Sequence, residues 1–494
     1  MAQGVTGGTP RSMAELEDAE DQVILEVLCR LAPEEAEEND GTKVLGTLER
    51  LAARLKDPSV TPPGLDVDAF LALTRSARNG EPCLVPPILD VRSPGEFARG
   101  HIPGAHSLPL FSDEERAAVG TAYKQKSREE ALLVGMSFVE PKLRKLVDEA
   151  RAIAEANGTP EKIDLAVHCW RGGMRSGSVA WLLRRSGLRV ATLSGGYKAF
   201  RGWVLDRWRG LALPKPRAKQ SKDEMEEDLS QGGVPQAILQ AVRELPGPRV
   251  CIIGGRTGVG KTRVLHALRD QLGQLILDLE ALARHRGSTF GWCGQGGLPQ
   301  PSTEHFANLV AVEWDNVVHD GRQWVFIEDE DNHIGSCEVP AGMYALLRCA
   351  PLVVRVGLGE EARVQLLMED YAGPEAQGDD PEAWLASMEA SVGRLQKRLG
   401  GALVKELLAK LRAHDHEAVV RSLIAYYDRL YDRHVANGSG TGSGSGSRPG
   451  VVLEASQDPQ QERLDAVGLA REVLARVAEF EASETTERCE PRVA

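Results

Sequence analysis

The chain has 494 residues, 42% of them hydrophobic and only 5% aromatic, and a formal net charge of −13. Such a length suits two or three domains with mainly aliphatic cores, and the acidic balance argues against a broad non-specific nucleic-acid binder without excluding a local basic groove. There is no apolar run of membrane-spanning length, no basic start followed by an apolar leader, and no C-x-x-C pair among the eight cysteines, so a reducing, cytoplasmic setting without zinc or a disulfide framework is expected.

Residues 1–65 read as a helical accessory region, because MAELEDAEDQVILEVLCRLA and KVLGTLERLAARLKD carry apolar residues at helical spacing. PSVTPPG then breaks the chain. From 66 to 208, short apolar strands (PPILDV, DLAVHCW, LRVATL) alternate with helices such as SGSVAWLLRRSG, with Gly187 as its stop. That rhythm predicts a parallel α/β sheet. Residues 209–245, with prolines, the basic cluster Lys215, Arg217, Lys219 and Lys222, and an acidic run, read as a solvated linker. A second α/β unit spans 246–436: RVCIIGG, LILDL, QWVFIEDED and PLVVRVGL are strands, and the stretch from ASVGRLQKRLGG to AYYDRLYDRH is helical. Residues 437–450 form a Gly/Ser-rich insert, and 451–494 read as a C-terminal helix and tail.

GRTGVGKT, Gly255 to Thr262, matches G-x-x-x-x-G-K-[ST] between a strand and a helix. Gly255, Thr257, Gly258 and Gly260 would turn backbone N–H groups around an anion, with Lys261 and the helix start adding positive charge. Thr262 is placed to ligate Mg²⁺ if a metal is used. The strand end WVFIEDE supplies an acidic partner, Glu328, Asp329 or Glu330; a water-facing acid is the equal alternative. The loop indicates phosphate, not nucleotide in particular.

HCWRGGMRSGS places Cys169 where a strand meets a glycine-rich loop that opens a helix. The backbone of Gly172 and Gly173, the helix start, Arg171 and Arg175 would all favour a thiolate, which is a nucleophile and chalcogen carrier. Cys251, inside an apolar strand, reads as structural; Cys293, in GWCGQGG, could be reactive. Asp90 would brace an arginine of the cysteine loop or cap a turn.

DVRSPGEFARGHIPGAHSLPL and CWRGGMRS…LSGGYKAF resemble the strand-end and active-site loops of rhodanese domains. Joined to GGRTGVGKT, LDLEALARHRGSTFG, PQPSTEHF, EDE and KRLGG in that order, they resemble the tRNA 2-selenouridine synthase family over roughly 67–432. The resemblance implies a rhodanese-like domain followed by a P-loop NTPase-like α/β domain with a helical C-terminal part. It implies exchange of sulfur for selenium at a wobble 2-thiouridine of tRNA, with selenophosphate as donor, and geranyl transfer from geranyl diphosphate onto that sulfur. No tightly bound cofactor is expected. Cys169 would bear selenium, and the 255–262 loop would hold the diphosphate or selenophosphate. The pattern departs after EDE, where Asp331, Asn332 and His333 stand in place of Ser-Arg. RNA contacts would fall on Arg284, His285 and Arg286, or on Arg394, Lys397 and Arg398. The competing reading is a rhodanese-type sulfurtransferase fused to a small-molecule kinase or NTPase; a binding-only sensor is a third.

Overall fold

The computed structural model describes residues 64–73, 75, 85–157, 163–209, 211, 236–293, 298–378, 380–436, 450–458 and 461–489. The expected N-terminal helices, most of the linker and nearly all of the Gly/Ser-rich insert lie outside those residues. The chain forms two compact units that meet in sequence at Asp206 and Arg207. Each has its own parallel sheet, as the alternating pattern predicts.

In the first unit the strands are β1 (Ile88–Asp90), β2 (Ala105–Ser107), β3 (Leu165–His168) and β4 (Val190–Thr192), in the order β2-β1-β3-β4. The two central strands are buried along their whole length, which is why they read as apolar runs up to one polar residue, Asp90 or His168, at the carboxyl end. The helix Leu143–Ala156 buries Leu143, Leu146, Ala150 and Ala154, one face at helical spacing. The edge strand β2 escapes a pattern search because its Ala-His-Ser carries no apolar alternation and stays largely exposed. Asp90 and Cys169 thus follow from adjacent central strands at the carboxyl edge, where parallel sheets place their sites.

The second unit contains β5 (Arg249–Gly254), β6 (Ile276–Leu277), β7 (Trp324–Glu328), a hairpin of β8 (His333–Ile334) and β9 (Cys337–Glu338), β10 (Leu352–Gly357) and β11 (Val451–Ser456). Its sheet order is β11-β10-β5-β7-β6, so the phosphate loop leaves the middle strand. Val451–Ser456 lies in the stretch read as helix and tail, yet it pairs in parallel with all six residues of β10. The helix Ala466–Cys489 then packs Leu469, Val473, Val477 and Phe480 into the core beneath the phosphate-loop helix Lys261–Asp270. The stretch read as linker ends in a helix, Gln236–Arg243. Trp208 and Leu211 are buried in this unit's core against Gly342, where a methyl group would lie 2.7 Å from Trp208 Cβ. Among the described residues no helix is long and apolar enough to cross a membrane.

Candidate functional sites

The cysteine loop is held by backbone packing that only glycine permits. Gly172 and Gly196 have φ of +65° and +55°. A methyl group on Gly172 would lie 2.1 Å from Leu193 O, and one on Gly196 2.3 Å from Gly172 N. The N–H groups of Tyr197 and Lys198 donate to the carbonyls of Cys169 and Trp170, both at 2.8 Å. The SGGYKAF turn therefore clamps the CWRGG turn. Gly196→Ala is expected to cost about 2 kcal/mol or more, from forced left-handed backbone plus the clash. Urea denaturation of the full chain, followed by tryptophan fluorescence, checks this.

Cys169 is only 1% exposed, with Sγ 3.3 Å from Ser176 Oγ. Arg175 is buried beside it, its Nη1 4.0 Å from Glu96 Oε2; Arg171 is half-buried. Asp90 does not brace either arginine. It takes the Arg92 fork instead, with Nε 3.0 Å from both carboxylate oxygens and Nη2 2.6 Å from Oδ2. Two residues of separation on one strand end make that pair local, while the loop arginines start from the next strand. Arg92 also lies 3.8 Å over the Tyr197 ring. Burial opposes ionisation of Asp90, but His168 and Arg92 hold it below the usual carboxylate range. Burial pushes His168 down against the opposing pull of Asp90, 3.7 Å away.

In the second unit the phosphate loop has the backbone its glycines allow: φ is +139° at Gly255 and +78° at both Gly258 and Gly260. Lys261 Nζ donates to Gly255 O across the loop at 3.3 Å. The Thr257 carbonyl accepts two bonds from Arg363, which is itself forked onto Asp428. Arg363 was not visible as a site residue in the sequence, since it sits on a helix, Glu360–Ala372, with no motif around it.

Three carboxylates face this loop. Donor oxygens of Glu280, Glu328 and Glu330 lie within 4.8 Å of one another, and Thr262 Oγ1 is 3.5 Å from Glu280 Oε2. Glu328 and Glu330 share a face because extended backbone alternates its side chains. Asp329 points the other way, so its expected role as a partner of the loop is not met: it pairs with Arg348 at 2.6 Å. Burial pushes Glu328 up to about 7 against the pull of Lys261, and burial together with Glu328 pushes Glu330 to about 8. Glu280 is raised well above its usual range by burial and by those two neighbours. Oε1 of Glu328 is buried without a hydrogen-bond partner.

One cavity adjoins the loop, and a second cleft shares a wall residue with that cavity. The first, a narrow cavity of about 90 Å³, is almost wholly apolar: Leu367, Met388, Val392, Val419, Leu423 and Ile424 line it, with Thr257 of the phosphate loop in its wall. The second is an open cleft of about 670 Å³ lined by His285, Trp292, His333, Arg394, Lys397 and Arg398. Ser288 lines both. Arg284 and Arg286 are drawn elsewhere, onto Pro299 O and Asp370. Cys293 is not a loop thiol open to reagents. It is 1% exposed and packed with Trp384, Met388 and Val392, because its turn folds back over the helical layer. Cys251 is fully buried, and burial pushes its thiol up, as a structural cysteine requires.

A family model described as the tRNA 2-selenouridine synthase AAA domain matches residues 248–461, and one described as the rhodanese-like domain matches 74–202. A tRNA 2-selenouridine synthase of Hydrogenovibrio crunogenus is 34% identical over 361 residues, covering 70% of this chain and 88% of that relative. One of Bordetella bronchiseptica is 34% identical over 368 residues, covering 70% and 87%. The chain belongs to the tRNA 2-selenouridine synthase family. A further relative of that name, from a Sulfurovum species, is 30% identical over 365 residues, covering 70% and 88%. A solved N-terminal domain from Clostridium difficile 630 matches 29% of this chain and 99% of its own length at 34% identity, with a TM-score of 0.25 that carries no structural argument.

In this member of the synthase family, Glu280 joins the phosphate-loop site from LDLEALA, a stretch whose sequence carries no sign of which side chain turns inward. The crowded acids make a pH signature. Their folded pKa values lie above those of the unfolded chain, so the folded state holds protons that the unfolded state releases. Stability from this source is full below about pH 4.5 and is lost as pH rises through 7 to 8. The metal-free protein is expected to lose on the order of a few kcal/mol over that range, and Glu330→Gln to flatten the loss. Urea melts from pH 5 to 9 measure it.

Proposed function

We propose that this protein converts 2-thiouridine at the wobble position of tRNA to 2-selenouridine, by way of an S-geranyl intermediate. The observation that carries the geranyl step is the apolar cavity whose wall includes Thr257 of the phosphate loop. A diphosphate in the loop and a ten-carbon apolar tail in that cavity need just these two surroundings side by side. A nucleotide would place a polar ribose and base there instead, which disfavours the sulfurtransferase–NTPase alternative.

The nucleoside sulfur attacks C1 of geranyl diphosphate, the C–O bond breaks, diphosphate leaves, and N3 of the base loses its proton. Backbone N–H groups of the loop and Lys261 neutralise the leaving group. Thr262 and Glu328 would hold a magnesium ion on the diphosphate; the orphaned, buried Glu328 oxygen and the crowding of three carboxylates suit a cation there. Such an ion would supply further charge neutralisation. Selenophosphate then adds through its selenium at C2 and geranylthiolate departs; water attacks the phosphorus, the P–Se bond breaks, phosphate leaves, and N3 recovers its proton to give 2-selenouridine. Cys169, in the first unit, is the thiol assigned to this second step.

The test uses an anticodon stem-loop carrying 2-thiouridine, incubated with the full chain, geranyl diphosphate, selenophosphate and Mg²⁺, then digested and weighed by mass spectrometry. 2-Selenouridine supports the whole reading, and a geranylated nucleoside alone supports only the first step. Unchanged 2-thiouridine, in the stem-loop and in full-length tRNA, together with ATP turnover would favour the NTPase alternative.

A further inference from the structure

We propose that the open cleft beside the phosphate-loop site is the docking surface for the single-stranded loop of the RNA substrate, which is gripped by its phosphates on Arg394, Lys397 and Arg398. This rests on the reading that the substrate is RNA.

The three cations come from the end of the helix Pro381–Arg394 and the turn of helix Gln396–Leu399 that follows it. Spacings of three and four residues bring them to one side. All three are exposed, and among the described residues none is in an ion pair. Several other arginines on this unit's surface are neutralised, Arg412 by Glu389, Arg421 by Glu361 and Glu417, Arg263 by Glu369 and Asp370, whereas the cleft gathers three charges that are not. In a chain of net charge −13, a polyanion is repelled over most of the surface and settles where positive charge is left unpaired.

The rest of the lining suits a nucleotide. Ser288, Thr289, His285 and His333 offer hydrogen-bonding groups, and among the described residues no carboxylate lines the cleft. His333 belongs to the segment that departs from the family pattern and opens the β8–β9 hairpin. A concave cleft admits unstacked loop nucleotides and excludes a duplex. Its inner wall leads to the chemistry. Ser288 is shared with the apolar cavity, and a methyl group on Gly287 would lie 2.8 Å from Glu280 Oε1. A base entering past Gly287 and Ser288 therefore arrives where the head of the donor meets its tail.

Fluorescence anisotropy with a labelled anticodon stem-loop tests this on the full chain. The double variant Lys397→Glu with Arg398→Glu should bind at least tenfold more weakly, and the slope of log K against log salt should flatten by about 1.5. The charge-matched double control Lys405→Glu with Arg471→Glu, both exposed and outside the cleft, should stay within about twofold of wild type. Calorimetric affinity for geranyl diphosphate should be unchanged in both, which shows that the fold and donor site are intact. If wild type modifies the RNA while the double variant binds it with unaltered affinity and slope, the docking proposal alone is overturned. A wild-type protein that binds no RNA at any salt overturns both this inference and the RNA reading.

Discussion

Cys169→Ser should abolish 2-selenouridine formation, by at least about a thousandfold, while geranyl diphosphate still binds within about twofold of wild type. Serine keeps the size of the side chain and its contact with Ser176, so the loop should hold its shape. What is lost is a soft, nucleophilic sulfur, the property the selenium-transfer step would use. The proposed donor site lies in the other unit, with its own sheet and core, and so should not respond. Nucleoside mass spectrometry and calorimetry on the same preparation decide the matter. The geranylated nucleoside should accumulate in the variant. Undiminished selenation would mean that Cys169 is a buried structural thiol.

Lys261→Ala should reduce geranyl transfer by about a hundred- to a thousandfold, the range typical of removing one group that stabilises developing charge. The argument is twofold. Lys261 is the cation of the loop, reaching across it to Gly255 O. It also draws down the pKa of Glu280, Glu328 and Glu330, so its removal should drive those acids further toward the protonated state and weaken any cation bound among them. Loss of rate should therefore be accompanied by a higher Mg²⁺ requirement. Single-turnover assays across a magnesium titration would show both. A variant with full activity would exclude this loop as the seat of the diphosphate.

Both central motifs were legible because each is local. A strand, a glycine turn and a helix start within a dozen or so residues fix their own backbone, so Gly255 to Thr262 and Cys169 to Arg175 can be read without knowing what surrounds them. The parallel sheets were legible for a related reason: strands buried on both faces become short apolar runs, here ILD and LAVH, each ended by one polar residue at the carboxyl edge. Legibility failed wherever the partner was distant or the pattern weak. The polar edge strand Ala105–Ser107 looked like a loop, and Val451–Ser456 was hidden behind the Gly/Ser-rich insert. Asp329 was indistinguishable from Glu328 by composition, and only alternation along the chain separated the acid facing the loop from the one facing Arg348.

By itself, the sequence determined that this protein has two α/β units, one presenting a cysteine and the other a phosphate loop, because those features depend on neighbouring residues and backbone sterics. Tertiary structure alone decided what stands around them. It brought Glu280 beside Glu328 and Glu330, built an apolar cavity from several helices next to Thr257, and set His285 and His333 opposite Arg394, Lys397 and Arg398. Such groupings depend on sheet order and helix packing between segments far apart in the chain, and no local spacing rule encodes them.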